Sequence, residues 1–144
     1  MKLELIKIKL KEAGMKITPQ RIAVLQALMD NRQHPTADDL IKTIWKVHSN
    51  ISAGTVYHIL NTLVSKNVIG KIETVDNVVR YDPTTEKHHH LYLNDEHEIV
   101  DFFDDELNGI IMDYLMKNNK LNNINIEDVR IQIIGKVRKS QTGT

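Results

Sequence analysis

The hydrophobic period of this chain changes at Val68, and that change limits the folds open to it. Before it, apolar residues recur at helical spacing. Leu3, Ile6 and Leu10, with Ala13, share one face of a helix predicted over residues 3–13, which Gly14 ends. Thr18 is a good N-cap, and Pro19 costs nothing at the first helical position, so a second helix opens there with Ile22, Val24, Leu25 and Leu28 and stops at Asn31. His34-Pro35 breaks the chain, and Thr36 caps a third helix carrying Leu40, Ile41, Ile44 and Trp45. After a turn at residues 49–52, Ser52 caps a fourth helix, with Val56, Ile59, Leu60 and Leu63 as its buried stripe and Asn67 as its stop. Beyond Val68 the pattern is extended: a strand to Thr74, a turn at Asp76-Asn77, and a return strand over Val78–Tyr81. Helices followed by a two-stranded hairpin predict a winged helix-turn-helix.

The chain changes character after Asp82-Pro83-Thr84-Thr85, a candidate linker. Strands are expected over His88–Leu93 and Glu98–Phe102, with a turn at Asn94-Asp95. Asp104 and Asp105 lead into a helix through Met116, at the end where acids favour the helix dipole, and Asn118-Asn119 breaks it. Ile124–Val137 reads as a long β segment, and the tail from Arg138 is expected to fray. The fold class is therefore α+β.

Composition removes several functions. The 144 residues include no cysteine, which excludes a disulfide framework, a thiolate nucleophile, a cysteine-based zinc site and thiol redox sensing. Any metal must be held by His, Asp, Glu and backbone atoms. The formal net charge of zero hides an asymmetry. Residues 1–80 hold 12 Lys and Arg against 7 Asp and Glu, and residues 81–144 hold 7 against 12. A basic first half suits a polyanion, and an acidic second half suits a divalent cation or plain solubility. No stretch approaches the roughly 20 apolar residues of a membrane span, and the N-terminus lacks the apolar core of a secretory signal, so a cytoplasmic protein without membrane partners is expected.

In a helix-turn-helix the second helix enters the major groove. Here that helix begins at Ser52. Its outward residues are Ala53, Thr55, Tyr57, His58 and Asn61. Small Ala53 and Gly54 permit close approach, Thr55 can bond a phosphate or base, and Tyr57 offers a ring to a thymine methyl and a hydroxyl to a phosphate. Arg80 and Lys71 on the hairpin could reach the backbone or minor groove. A helical bundle with a solvated polar face would carry the same pattern, and no Arg lies on the outward face of this helix.

His88-His89-His90 is the most unusual run in the chain. On a strand, His88 and His90 share one face and His89 points away. Two imidazoles at that spacing, with Asp82 and Asp101 nearby, form a nitrogen and oxygen shell suited to Fe(II), Mn(II), Zn or a similar ion. The plain alternative is an exposed histidine cluster. His34 reads as a turn histidine in the first half; as a further ligand, it would make the metal a bridge between domains.

Taken together, Ile17-Thr18-Pro19-Gln20-Arg21, His34-Pro35-Thr36-Ala37-Asp38-Asp39-Leu40, Thr55-Val56-Tyr57, Tyr81-Asp82, His88-His89-His90 and Ile99-Val100-Asp101-Phe102 resemble the ferric uptake regulator (Fur) superfamily over about residues 10–135. The resemblance implies a winged-helix DNA-binding domain at 1–82 and an α/β dimerisation and metal-sensing domain at 83–144, with a swivel near Tyr81–Lys87. It implies a homodimer that represses transcription from an A/T-rich inverted repeat when loaded with metal, and no enzyme. By position the regulatory ligands become His34, Asp82, His88, His90 and Asp101. An Asp at the first carboxylate position makes the chain similar to the peroxide-response (PerR) branch, in which Fe(II) directs peroxide to oxidise a ligand histidine. The candidates here are His34 and His88. Mn(II) would support DNA binding without that chemistry, and Zn could bind in vitro. An iron- or manganese-responsive regulator without peroxide sensing is the alternative within the family. Outside it, a metalloenzyme is disfavoured by the lack of a Ser-His-Asp pattern, HExxH or a glycine-rich phosphate loop, and a metal-storage protein would not need a winged helix.

Two departures from the family follow. The positions of its four-cysteine structural zinc site hold Leu93, Glu96, Val137 and Ser140, so that site is expected to be absent. A second His/acid site would fall at Lys87, His89, Asn108 and Asp128, where a Lys and an Asn are unsuited to binding metal, so one metal per subunit is expected.

Overall fold

The computed structural model describes residues 2–31, 33–118 and 121–138. The chain divides into two compact units, residues 1–85 and 86–144.

The first unit contains α1 (Lys2–Glu12), α2 (Pro19–Asp30), α3 (Ala37–Trp45), α4 (Ala53–Ser65), β1 (Gly70–Glu73) and β2 (Val79–Asp82). Each of the last three helices starts on a side-chain cap that satisfies an otherwise orphaned amide. Thr18 accepts from Arg21 N ahead of Pro19, and Ser52 accepts from Thr55 N at 3.1 Å. Thr36 and Asp39 form a reciprocal capping box, with both bonds at 3.1 Å. The apolar stripes named from the sequence meet in one core: Ile6 and Leu10 of α1, Val24, Leu25 and Leu28 of α2, Leu40 and Ile44 of α3, and Val56, Leu60 and Leu63 of α4. Leu3, expected on the inner face of α1, is exposed. Trp45 is exposed too, with its indole N–H donating to the Ile51 carbonyl at 2.6 Å.

The hairpin is antiparallel, with Gly70 opposite Asp82 and Ile72 opposite Arg80. Asn67 and Asn77 both take left-handed φ values, 59° and 62°, one past the end of α4 and the other in the hairpin turn. Asparagine is one of the few residues that enters this region readily. Tyr81 N donates to the Pro35 carbonyl at 2.9 Å, docking β2 beside the start of α3.

The second unit contains β3 (His89–Leu93), β4 (Glu98–Phe102), α5 (Asp105–Lys117) and β5 (Gln132–Gly135). The sheet order is β4-β3-β5, antiparallel between β3 and β4 and parallel between β3 and β5. Asp104 caps α5 by accepting from Leu107 N at 3.0 Å. One sequence expectation is corrected: the β segment foreseen over Ile124–Val137 shrinks to Gln132–Gly135. A strand exists where a partner pairs with it, and β3 supplies only His90–Leu93 for this ladder. Upstream, Ile124 closes a turn onto the Leu121 carbonyl, and Asp128 bonds the neighbouring Val129 N. Asn119, part of the expected break after α5, lies outside the described residues, as does Ser140.

Few side chains fill this unit. Tyr92 and Ile99 are its buried apolar residues among those described, and no residue of α5 is buried. Leu107, Ile111 and Leu115 are half-buried on one face of α5, while Ile110, Tyr114 and Met116 are exposed. Ile133 and Ile134 are adjacent on β5 and 41% and 48% exposed, so both sheet faces are open at that edge.

Candidate metal centre and DNA-reading face

In the first unit, His34 sits between α2 and α3 with φ 55°. A non-glycine residue in the left-handed region costs on the order of 1 kcal/mol or more, and a following proline steers it towards extended backbone instead. Surrounding bonds hold the segment in place. Arg80 Nη1 donates to the His34 carbonyl at 3.2 Å, and Tyr81 N bonds the next carbonyl, that of Pro35. His34 and Asp82 are both buried, with His34 Nε2 3.5 Å from Asp82 Oδ2. The other oxygen, Asp82 Oδ1, accepts from Thr84 N at 2.8 Å.

In the second unit, β3 and β4 pair His90 with Asp101. His88 Nε2 lies 3.2 Å from Asp101 Oδ1, and His90 Nε2 lies 3.4 Å from the same oxygen. The two rings are edge-to-face with centroids 4.6 Å apart, and Phe103 stacks on His88 at 5.0 Å. His88 Nδ1 is hydrogen-bonded to the Glu86 carbonyl. A carbonyl can only accept, so Nδ1 carries the hydrogen and the Nε2 lone pair of the neutral ring points at a carboxylate oxygen. Two lone pairs in that arrangement need a proton or a cation between them. An imidazole whose far N–H is held by a backbone carbonyl is the usual form of a metal-ligating histidine. This donor set therefore fits a divalent ion.

His89 points away from this cluster, as strand alternation predicts. It is 1% exposed. Its Nδ1 accepts from Ile131 N at 2.9 Å, and its Nε2 bonds Asn108 Oδ1. Both ring nitrogens are thus engaged, by the residue just before β5 and by α5. Lys87 Nζ bonds the Glu127 carbonyl at 3.3 Å, and Asp128 is paired with Arg130, whose hydrogen bond holds its carboxyl below the ordinary value. The four positions of the family's second site are occupied by hydrogen bonds of other kinds. Near the positions of the absent cysteines, the β3–β4 turn and the end of β5 are linked by Asn94 N to the Gly135 carbonyl at 2.9 Å and by an exposed Asp95–Lys136 ion pair at 3.7 Å.

On α4, Tyr57, His58 and Asn61 are exposed, whereas Ala53 and Thr55 are half-buried. Ala53 packs against the core, and Thr55 Oγ1 is 2.8 Å from Ser52 Oγ within the cap. The Tyr57 hydroxyl does not stand free for a phosphate: it donates to Asp38 Oδ1 at 3.0 Å. That bond is the first cause of a raised Tyr57 pKa, followed by burial and the Asp38 charge. Arg80 is half-buried and committed through Nη1 to His34, while Lys71 is exposed beside Glu73 at 3.7 Å. Asp38 was invisible as a partner in the sequence, since no spacing rule links positions 38 and 57 on separate helices.

The family model described as "Ferric uptake regulator family" matches residues 12–134. The peroxide-responsive repressor PerR of Staphylococcus aureus is 35% identical over 101 residues, which are 70% of this chain and 68% of that protein. The Campylobacter jejuni peroxide stress regulator superposes with a TM-score of 0.67 at 26% identity, covering 95% of this chain and 96% of the other. The Vibrio cholerae ferric uptake regulator does so with a TM-score of 0.72 at 25% identity, covering 89% and 96%. An N-terminal winged helix, a C-terminal α/β unit and this breadth of match lead to one conclusion: the chain belongs to the ferric uptake regulator family of metal-responsive, dimeric DNA-binding repressors.

Proposed function

We propose that this chain is a peroxide-sensing, metal-dependent repressor that binds A/T-rich inverted-repeat operator DNA as a homodimer. The observation that carries the reading is His88, with Nδ1 held by the Glu86 carbonyl and Nε2 turned onto Asp101. The proposed ligands are His34, Asp82, His88, His90 and Asp101. Three imidazoles with two carboxylates suit Fe(II) or Mn(II), one ion per subunit, and Zn in vitro. His34 and Asp82 come from the winged-helix domain at 1–82, and the other three from the dimerisation domain at 83–144. Joint ligation restrains one domain relative to the other, which supplies the switch.

Aspartate at both carboxylate positions, together with the likeness to the peroxide-responsive repressor of S. aureus, supports the peroxide branch. Ferrous iron held by these residues would supply the chemistry by which peroxide transfers one oxygen atom to a neighbouring imidazole and leaves as water, and Mn(II) would not. His34 and His88 are the candidate targets. An oxidised ring is a poorer donor, so the domains are released from each other and DNA affinity falls. Peroxide acts as a signal and is not turned over, so the protein is a regulator and no enzyme, working in the cytoplasm. Among the described residues no helix is long and apolar enough to cross a membrane.

The two exposed apolar surfaces of the second unit, on α5 and at the β5 edge, support the homodimer. The test is mass spectrometry of the Fe(II)-loaded protein before and after brief peroxide exposure. One added oxygen on the peptide carrying His34 or His88, with none in the Mn(II) form, is the expected result. Unmodified histidines together with metal-dependent DNA binding would assign the chain to plain iron or manganese regulation.

A further inference from the structure

Two residues from different helices meet on the reading face. Tyr57 lies on α4, and its hydroxyl donates to Asp38 Oδ1 at 3.0 Å. Asp38 is in the first turn of α3, where the helix dipole favours a carboxylate. That turn is itself fixed by the Thr36–Asp39 capping box. The acceptor is therefore a charged group on a rigid mount, while the ring it holds is 42% exposed.

A phenol has one hydrogen to give, and here it goes to Asp38. The hydroxyl can then accept a bond but cannot donate one to a phosphate. The carboxylate beside it also repels phosphate. An untethered tyrosine at an exposed helix position would sample several rotamers, and the bond to Asp38 selects one. Phosphate contacts raise affinity for every sequence, whereas contacts to base edges and thymine methyls create discrimination. The pairing removes the first use of the tyrosine and preserves the second.

We propose that Asp38 is a positioning residue for base discrimination, holding the Tyr57 ring in the one orientation in which it meets a thymine methyl and keeping the phenol off the phosphate backbone. The inference rests on the reading of α4 as the recognition helix. It adds a specificity element contributed by α3, outside the recognition helix itself.

The test uses the manganese-loaded protein and a randomised duplex library, followed by titrations on the selected duplex and on versions with single T:A pairs replaced. Tyr57→Phe and Asp38→Ala should each lower discrimination at one T:A pair by about fivefold, the value of one net hydrogen bond. The double variant should lose no more than either single variant, because both changes remove the same contact. Asp38→Asn keeps an acceptor oxygen and should retain the preference, while binding all duplexes more tightly for want of the negative charge. In metal-free protein, ultraviolet titration should show one tyrosine of Asp38→Ala ionising at lower pH than in the parent. Unchanged discrimination in Asp38→Ala, or additive losses in the double variant, would overturn the proposal. If Tyr57→Ala binds every duplex as the parent does, the assignment of α4 fails and the proposal falls with it.

Discussion

Replacing Asn108 with Ala tests what attaches α5 to its sheet. In the parent, His89 is buried with Nδ1 accepting from Ile131 N at 2.9 Å. The remaining hydrogen must lie on Nε2, and Asn108 Oδ1 receives it. Alanine removes the acceptor and leaves the Nε2 hydrogen of a residue that is 1% exposed without that partner. An orphaned buried donor costs about 2 kcal/mol. For a chain of 144 residues that corresponds to a Tm lower by roughly 6 °C. The assay is thermal unfolding followed by circular dichroism at fixed protein concentration, because assembly raises apparent stability by mass action. Asn108→Asp keeps an acceptor oxygen at the same position, leaves the Ile131 bond to His89 untouched, and should lose less. An Asn108→Ala protein that melts with the parent would refute the reasoning. The His89 contact would then be incidental to the stability of this unit.

Three further outcomes are expected. His34→Ala should weaken metal binding by at least about tenfold and abolish the rise in DNA affinity on metal addition, read by calorimetry beside a DNA titration; full switching at saturating metal would show that His34 is only a turn residue. Asp101→Ala should lower metal affinity and DNA binding together, with excess metal restoring part of the second. Purified protein should hold about one metal per subunit, because a four-cysteine zinc site is excluded by composition; elemental analysis finding two tightly held ions would contradict the assignment of His89 to a hydrogen-bond network.

The first unit was legible because its signals are local. Thr18, Thr36 and Ser52 each bond an amide three residues on, and the stripe Val56, Ile59, Leu60, Leu63 is buried as its spacing required. The second unit was harder to read. Apolar residues at 124–137 have strand character, but β3 is short, so pairing is confined to Gln132–Gly135. The opposed faces of His88 and His89 followed from strand alternation, whereas the tautomer of His88 depends on the Glu86 carbonyl, which no side-chain pattern encodes. The link between Tyr57 and Asp38 arises where two helices cross, and its only sequence trace is an acid in the first turn of α3.

The exposed apolar residues of α5 tie the proposed dimer to protein quality control. Ile110, Tyr114, Met116 and the β5 edge are exposed in the single chain, and under the proposal that a second subunit covers them, an unpaired subunit would present the kind of surface that proteases and chaperones engage. Pairing of newly made chains is second order in their concentration and removal first order, so under this proposal the balance would shift towards removal as their level falls.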